Sequence, residues 1–152
     1  MLIDKVTPGI SAYARGDIVL LKGGESIFFG YVPATLRRII GQPGDTIDFD
    51  NGIVYVTPPS GPRRAVRLEE PYVVRLPDGT SVPECPRDGI TVCTPPWLMD
   101  EGQYFVVGDN RPEPGLSFGQ IYRDRFEGRV WLRFFPLDRF GIFDPPTYAG
   151  LE

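Results

Sequence analysis

The sequence contains no histidine. A Ser-His-Asp triad, a Cys-His pair and a His-Glu-x-x-His zinc site are therefore all excluded. A hydrolase built from this chain would need another base, and the familiar remaining option is a lysine held neutral in an apolar pocket, where burial lowers its pKa. Lysine is also scarce: only Lys5 and Lys22 occur. Lys22 ends an apolar run before Gly23-Gly24 and reads as a solvated strand-end residue, and Lys5 lies near the terminus. No stretch approaches the ~18 consecutive apolar residues needed to span a bilayer, and Met1-Leu2-Ile3-Asp4-Lys5 carries no signal-peptide hydrophobic region. The stretch is expected to be soluble, either cytoplasmic or preceded by a membrane anchor. Two cysteines without histidine make no plausible zinc site, so no metal or other cofactor is expected. The net charge of −4 argues against nucleic acid as a partner, because a phosphate backbone would be repelled on average.

Glycine and proline are plentiful, with 18 and 17 among 152 residues, which interrupts the chain too often for long helices. Short runs of β-favouring residues lie between these turn signals. They are Asp17 to Lys22, Ile27 to Val32, Leu36 to Gly41, Thr46 to Phe49, Gly52 to Val56, Pro71 to Leu76, Gln103 to Gly108 and Arg129 to Phe135. Val130, Leu132 and Phe134 alternate with Trp131, Arg133 and Phe135, the pattern of a half-buried antiparallel strand. Asn51-Gly52 supplies the positive φ angles of a tight hairpin between Thr46 to Phe49 and Ile53 to Val56. Nine prolines fall between Thr57 and Pro96, which suggests an insertion over roughly 57–96 in one single domain of length 1–152. Cys85 and Cys93 lie inside it, flanking Arg87-Asp88-Gly89. That turn could close a disulfide in an oxidising compartment; two free buried thiols are the alternative.

Three clusters occur in order. The first is Arg15-Gly16-Asp17-Ile18-Val19, and the second is Arg37-Arg38-Ile39-Ile40-Gly41-Gln42-Pro43-Gly44-Asp45. The third is Gly108-Asp109-Asn110-Arg111, preceded by Tyr104 to Val107 and followed by Gly119. Each alone is a common turn sequence. As an ordered set spanning most of the chain they resemble the boxes of type I signal peptidases, the serine-lysine endopeptidases that cut signal peptides at the outer face of the membrane. Glu70-Pro71-Tyr72-Val73, Gly128-Arg129-Val130 and Leu2-Ile3-Asp4-Lys5-Val6 also resemble segments of that family. The resemblance implies a coiled antiparallel β-sheet domain, mostly β, with the Pro-rich insertion bearing the cysteines.

The departures from the family matter as much. The family's serine precedes its first strand, so the matching position would lie upstream of Met1. Its base lysine opens the second box, where this sequence has Arg37. A guanidinium, with a pKa above about 12, has no accessible neutral form and cannot take a serine proton as a desolvated lysine can. The family's Ser-x-Asp-Ser-Arg run after the third box is replaced by Pro112-Glu113-Pro114-Gly115-Leu116-Ser117-Phe118, which lacks the second Asp and Arg. Asp109 and Arg111 remain, read as a structural ion pair or turn clamp supporting the site. Leu36 and Ser117 are the positions the resemblance assigns to peptide binding. The expected protein is a catalytically degenerate member that binds an extended peptide or signal peptide beside the membrane. The alternatives are a fragment of an active, membrane-anchored signal peptidase whose serine lies upstream, and a self-cleaving repressor-type protease fold.

Overall fold

The computed structural model describes residues 2–4, 12–26, 30–50, 53–60, 64–74, 96–111, 118–133 and 140–151. Their architecture is mostly β, and every pairing between strands is antiparallel. In chain order the strands are β1 (Leu2–Asp4), β2 (Ile18–Leu21), β3 (Gly24–Ser26), β4 (Gly30–Val32), β5 (Thr35–Gly41), β6 (Thr46–Asp50) and β7 (Ile53–Thr57). They continue as β8 (Val66–Arg67), β9 (Trp97–Leu98), β10 (Gln103–Val107), β11 (Phe118–Tyr122), β12 (Phe126–Arg133) and β13 (Gly141–Ile142). A single 3₁₀ turn, Arg123–Arg125, joins β11 to β12, and there is no α-helix among the described residues.

The main sheet runs β1-β12-β2-β5-β10-β11, with β13 added to β12. A smaller sheet runs β8-β7-β6-β9. The adjacent strands β5 and β10 of the main sheet bury side chains on both faces, and their sequences say why. Along Tyr104-Phe105-Val106-Val107, Tyr104 and Val106 join Tyr13, Val19, Ile39 and Phe126 on one face. Phe105 and Val107 join Ile40, Ile47, Val54, Val56 and Tyr148 on the other. Ile39 and Ile40 of β5 divide the same way. A strand whose two faces both find apolar partners needs a continuous apolar run rather than alternation, and each such side chain contributes about 1.5–3 kcal/mol on burial. The small sheet covers one face only, so β7 alternates: Val54 and Val56 are fully buried while Ile53, Tyr55 and Thr57 are half-exposed. Phe49 and Trp97 stack edge-on at 5.7 Å and both rest on Phe105, which couples the small sheet to β10. Gly41 sits at that junction, where a Cβ would lie 2.8 Å from Phe105 Cβ and 2.9 Å from Ile47 Cδ1.

The expected runs at 17–22, 36–41, 46–49, 52–56 and 103–108 appear as β2, β5, β6, β7 and β10 within a residue or two. Asp50 faces Ile53 across β6 and β7, the register a two-residue connection imposes, although Asn51 and Gly52 lie outside the described residues. In the Pro71 to Leu76 run the described part, residues 71–74, is a correction, and Arg75 and Leu76 lie outside the described residues. Pro71 and Tyr72 form a turn closed by Val73 N–H on the Glu70 carbonyl at 3.2 Å, and only Val74 makes a bridge, to Asn110. Proline has no N–H for a ladder, and turn chemistry outweighed the β propensity of the valines. Part of the stretch expected as an insertion is woven into the small sheet, through β8 on β7 and the Leu68 N–H on the Val54 carbonyl at 2.9 Å. Cys85 and Cys93 lie outside the described residues, as does Ser117.

Candidate functional site

β5 carries the second box through the middle of the main sheet. Its first half pairs with β2, Leu36 opposite Leu20 and Arg37 opposite Val19. Its second half also pairs with β10, and that pairing stops at Arg38 opposite Val107. Arg37 is half-buried, and its Nη1 donates to the carbonyl of Leu36 at 2.8 Å. Leu36 is likewise half-buried and belongs to neither core cluster.

Arg38 behaves differently from its neighbour. It is 4% exposed and grips Asp109 with both ends of its fork, Nε to Oδ1 at 2.8 Å and Nη2 to Oδ2 at 2.6 Å. Its Nη1 donates to the Gly16 carbonyl at 2.9 Å, and its guanidinium lies 3.8 Å over the Tyr72 ring and 5.5 Å from that of Phe143. Burial acts to lower the pKa of this cation, but the bonds and charge of Asp109 override it and hold the group above its ordinary value. One side chain thus joins all three boxes. Gly16 adopts φ of +91°, and a Cβ there would stand 3.1 Å from Pro146, so the backbone comes close enough to offer its carbonyl.

The third box forms a turn rather than an internal ion pair. Arg111 Nε donates to the Gly108 carbonyl at 2.8 Å, closing the turn, and Nη2 reaches Glu70 Oε1 at 2.6 Å. Both partners are buried, at 0% and 3% side-chain exposure. Glu70 Oε1 also accepts the Tyr72 hydroxyl at 3.2 Å, and that hydroxyl is 2.6 Å from the hydroxyl of Tyr148. The first box closes on the second a second time: Arg15 Nη1 meets Asp45 Oδ2 at 2.9 Å and donates to the Ile40 carbonyl, while Asp17 accepts Ala14 N–H at 2.8 Å and Arg129 Nη1 at 3.2 Å.

Residues 1–135 match the family described as signal peptidase, peptidase S26. The chain belongs to that family. A signal peptidase I from Bacillus licheniformis is 30% identical over 91% of this chain and 68% of its own length. A probable signal peptidase I-2 from Synechocystis is 28% identical over 93% of this chain and 57% of its own. The chain thus spans about three fifths of the length of such relatives. The crystal structure of a signal peptidase I from Enterococcus faecalis superposes with a TM-score of 0.47 at 22% identity, over 79% of this chain and 97% of that one.

Within this signal peptidase framework, Leu36, Arg37 and Arg38 stand in sequence on one strand, and Asp109 is tied to that strand through Arg38. Arg111 faces away toward Glu70. Sequence reasoning singled out Arg37, Asp109 and Arg111 but passed over Arg38, Glu70, Tyr72 and Tyr148. Arg38 had a signal, as the second arginine of a box whose Gly108-Asp109 counterpart needs a cation. Tyr148 had none, since it lies beyond the matched residues and its partner is 76 positions away.

The tyrosine pair has a pH consequence. Burial pushes the Tyr72 phenol well above its ordinary value, aided by the nearby Glu70 charge and by Tyr148; burial likewise raises Tyr148, and Tyr13 and Tyr104 shift the same way. These phenols stay protonated in the fold but ionise near pH 10 when it unfolds, so above about pH 10 the unfolded state holds fewer protons and stability falls as pH rises. Below that window they contribute no pH dependence. Urea midpoints measured from about pH 9 to about pH 11 are expected to drop, and to drop less steeply in Tyr72→Phe. A flat profile would contradict the burial of this pair.

Proposed function

We propose that this chain is a signal-peptidase-like protein that binds extended peptides, signal peptides of secreted precursors among them, without cutting them. What carries the reading is Arg37, which the resemblance puts at the family's base position, on a strand that is tied to the other two boxes. Arg38 with Asp109, Arg111 with Glu70, and Arg15 with Asp45 still hold the three boxes together. A framework kept in order around a base that cannot lose its proton suits binding by strand addition, where main-chain hydrogen bonds supply the affinity. The site of action on this reading is the outer face of the membrane, with an anchor outside this stretch, and a Cys85–Cys93 bond would fit that compartment.

A second reading has its own support. The chain spans 57–68% of relatives' lengths, so a serine box and anchor could lie in what those relatives have in addition. The chain would then be the outer part of an active enzyme, and Arg37 is the observation against it.

Incubation of the full-length gene product, with whatever its gene places ahead of Met1, with a signal-peptide-derived sequence separates the two. Saturable binding with the peptide recovered intact by mass spectrometry is expected. Cleavage at a defined bond would overturn the non-cutting reading, and absence of binding would overturn the peptide-binding one.

A further inference from the structure

At the far end of β5 from Leu36 and Arg37, the turn that carries Gln42, Pro43 and Asp45 borders a cavity of about 440 Å³. Its lining falls entirely on described residues. The volume is in the range of small-molecule sites, about 300–1,000 Å³. Pro43, Pro58, Pro59 and Leu151 supply apolar surface, and the prolines have no N–H to offer. The charged lining is a single pair, Arg15 and Asp45, whose side chains are 8% and 2% exposed.

Arg15 is only partly used by the fold. Its Nη1 meets Asp45 Oδ2 at 2.9 Å and donates to the Ile40 carbonyl, whereas its Nε is buried with no hydrogen-bond partner among the described residues. Nε and Nη2 form one edge of the guanidinium fork, the edge with which Arg38 grips Asp109. On Arg15 that edge holds no described residue. Buried polar groups nearly always find a partner, so an acceptor for this edge has to come from the cavity that Arg15 lines.

The same pair sets the charge of that acceptor. Asp45 Oδ2 takes both Arg15 and the Gln42 N–H, the latter at 2.6 Å, so the guanidinium charge is already answered. An anion would be drawn by Arg15 and opposed by the buried Asp45 carboxylate, and a cation would meet the reverse. Either would give up its water where no charge is left to compensate it. A carbonyl oxygen is far cheaper to bury, and its two lone pairs can take both N–H groups of the open edge.

We propose that this cavity is a binding site for a small uncharged ligand whose amide carbonyl accepts from the Arg15 fork and whose apolar body packs on the prolines. The site is separate from the strand that carries Arg37 and does not depend on the peptide-binding reading.

Benzamide, benzoate and benzamidine share one shape and differ in charge, which makes them the probes. Each is titrated into the protein by two-dimensional NMR, following the backbone amides of Gln42, Ser60 and Leu151 at the cavity wall. Benzamide is expected to shift these signals saturably, with the two charged probes about tenfold weaker, the discrimination of roughly one unmade hydrogen bond. Ser60→Trp sets a bulky ring at the cavity from an exposed position and should abolish the shifts. Arg15→Gln leaves Asp45 as the one charge in the lining and should move the preference to benzamidine. If that variant fails to fold, the three probes and Ser60→Trp still decide. Equal or tighter binding of either charged probe by the unaltered protein would overturn the proposal. So would shifts that survive Ser60→Trp, or a preference for benzamide that survives in folded Arg15→Gln. Absence of any saturable benzamide shift would leave the cavity to water and overturn it as well.

Discussion

Replacing Glu70 by glutamine is expected to destabilise the fold by about 3–5 kcal/mol, the range for removing one partner of a buried ion pair. Arg111 is the reason. Its side chain is fully buried, its Nη1 has no hydrogen-bond partner among the described residues, and Glu70 Oε1 is the charge that Nη2 meets at 2.6 Å. Glutamine keeps the shape but leaves a guanidinium in a low-dielectric site without a counter-charge. Asp109→Asn should cost less, although Asp109 is bound bidentately, because its side chain is 34% exposed and water can replace part of what is lost. The order of the two effects is thus decided by burial, not by the number of hydrogen bonds. Chemical denaturation of both variants measures it. Removing both charges together, with Glu70→Leu and Arg111→Met, should recover much of the loss, since most of it is the penalty of a stranded charge. A cost below about 1 kcal/mol for Glu70→Gln would mean that the pair is solvated and worth no more than a surface pair.

The second large effect concerns catalysis. If a serine box and anchor from an active relative are placed ahead of Leu2, cleavage of a precursor peptide in detergent or lipid is expected to stay at background. Arg37 remains cationic at any pH that leaves the sheet intact, so nothing at that position accepts the serine proton. A positioned general base contributes roughly 10²–10⁴ in rate, and a charged guanidinium contributes none of it. Arg37→Lys in the same protein should recover a trace of activity, because a lysine there can be desolvated and deprotonated. Full activity is not expected, since the Pro112 to Phe118 interval lacks the family's second Asp and Arg. Robust turnover by the Arg37 form, lost when the grafted serine becomes alanine, would show that another group serves as base and would refute the degenerate reading.

The difference between these two arginines and their neighbours marks where sequence reading stops. The order of the three boxes, the Asn-Gly hairpin register and the buried runs of β5 and β10 were legible, because turn residues and apolar runs act on the backbone locally. The start of the Pro71 to Leu76 run, residues 71–74, was misread, because β propensity reports fit to a sheet and cannot count the hydrogen bonds a proline lacks.

The sequence by itself determined a mostly β member of a known family, and the resemblance implies that Arg37 stands where that family has its base. Only the tertiary structure decided that Arg38 rather than Arg37 holds Asp109, that Arg111 answers to Glu70 instead of Asp109, and that Tyr148 closes the cluster. Those partners are 71, 41 and 76 positions apart. Which of several arginines meets which carboxylate over such separations depends on strand register, and register is fixed by the packing of both faces of β5 and β10 at once.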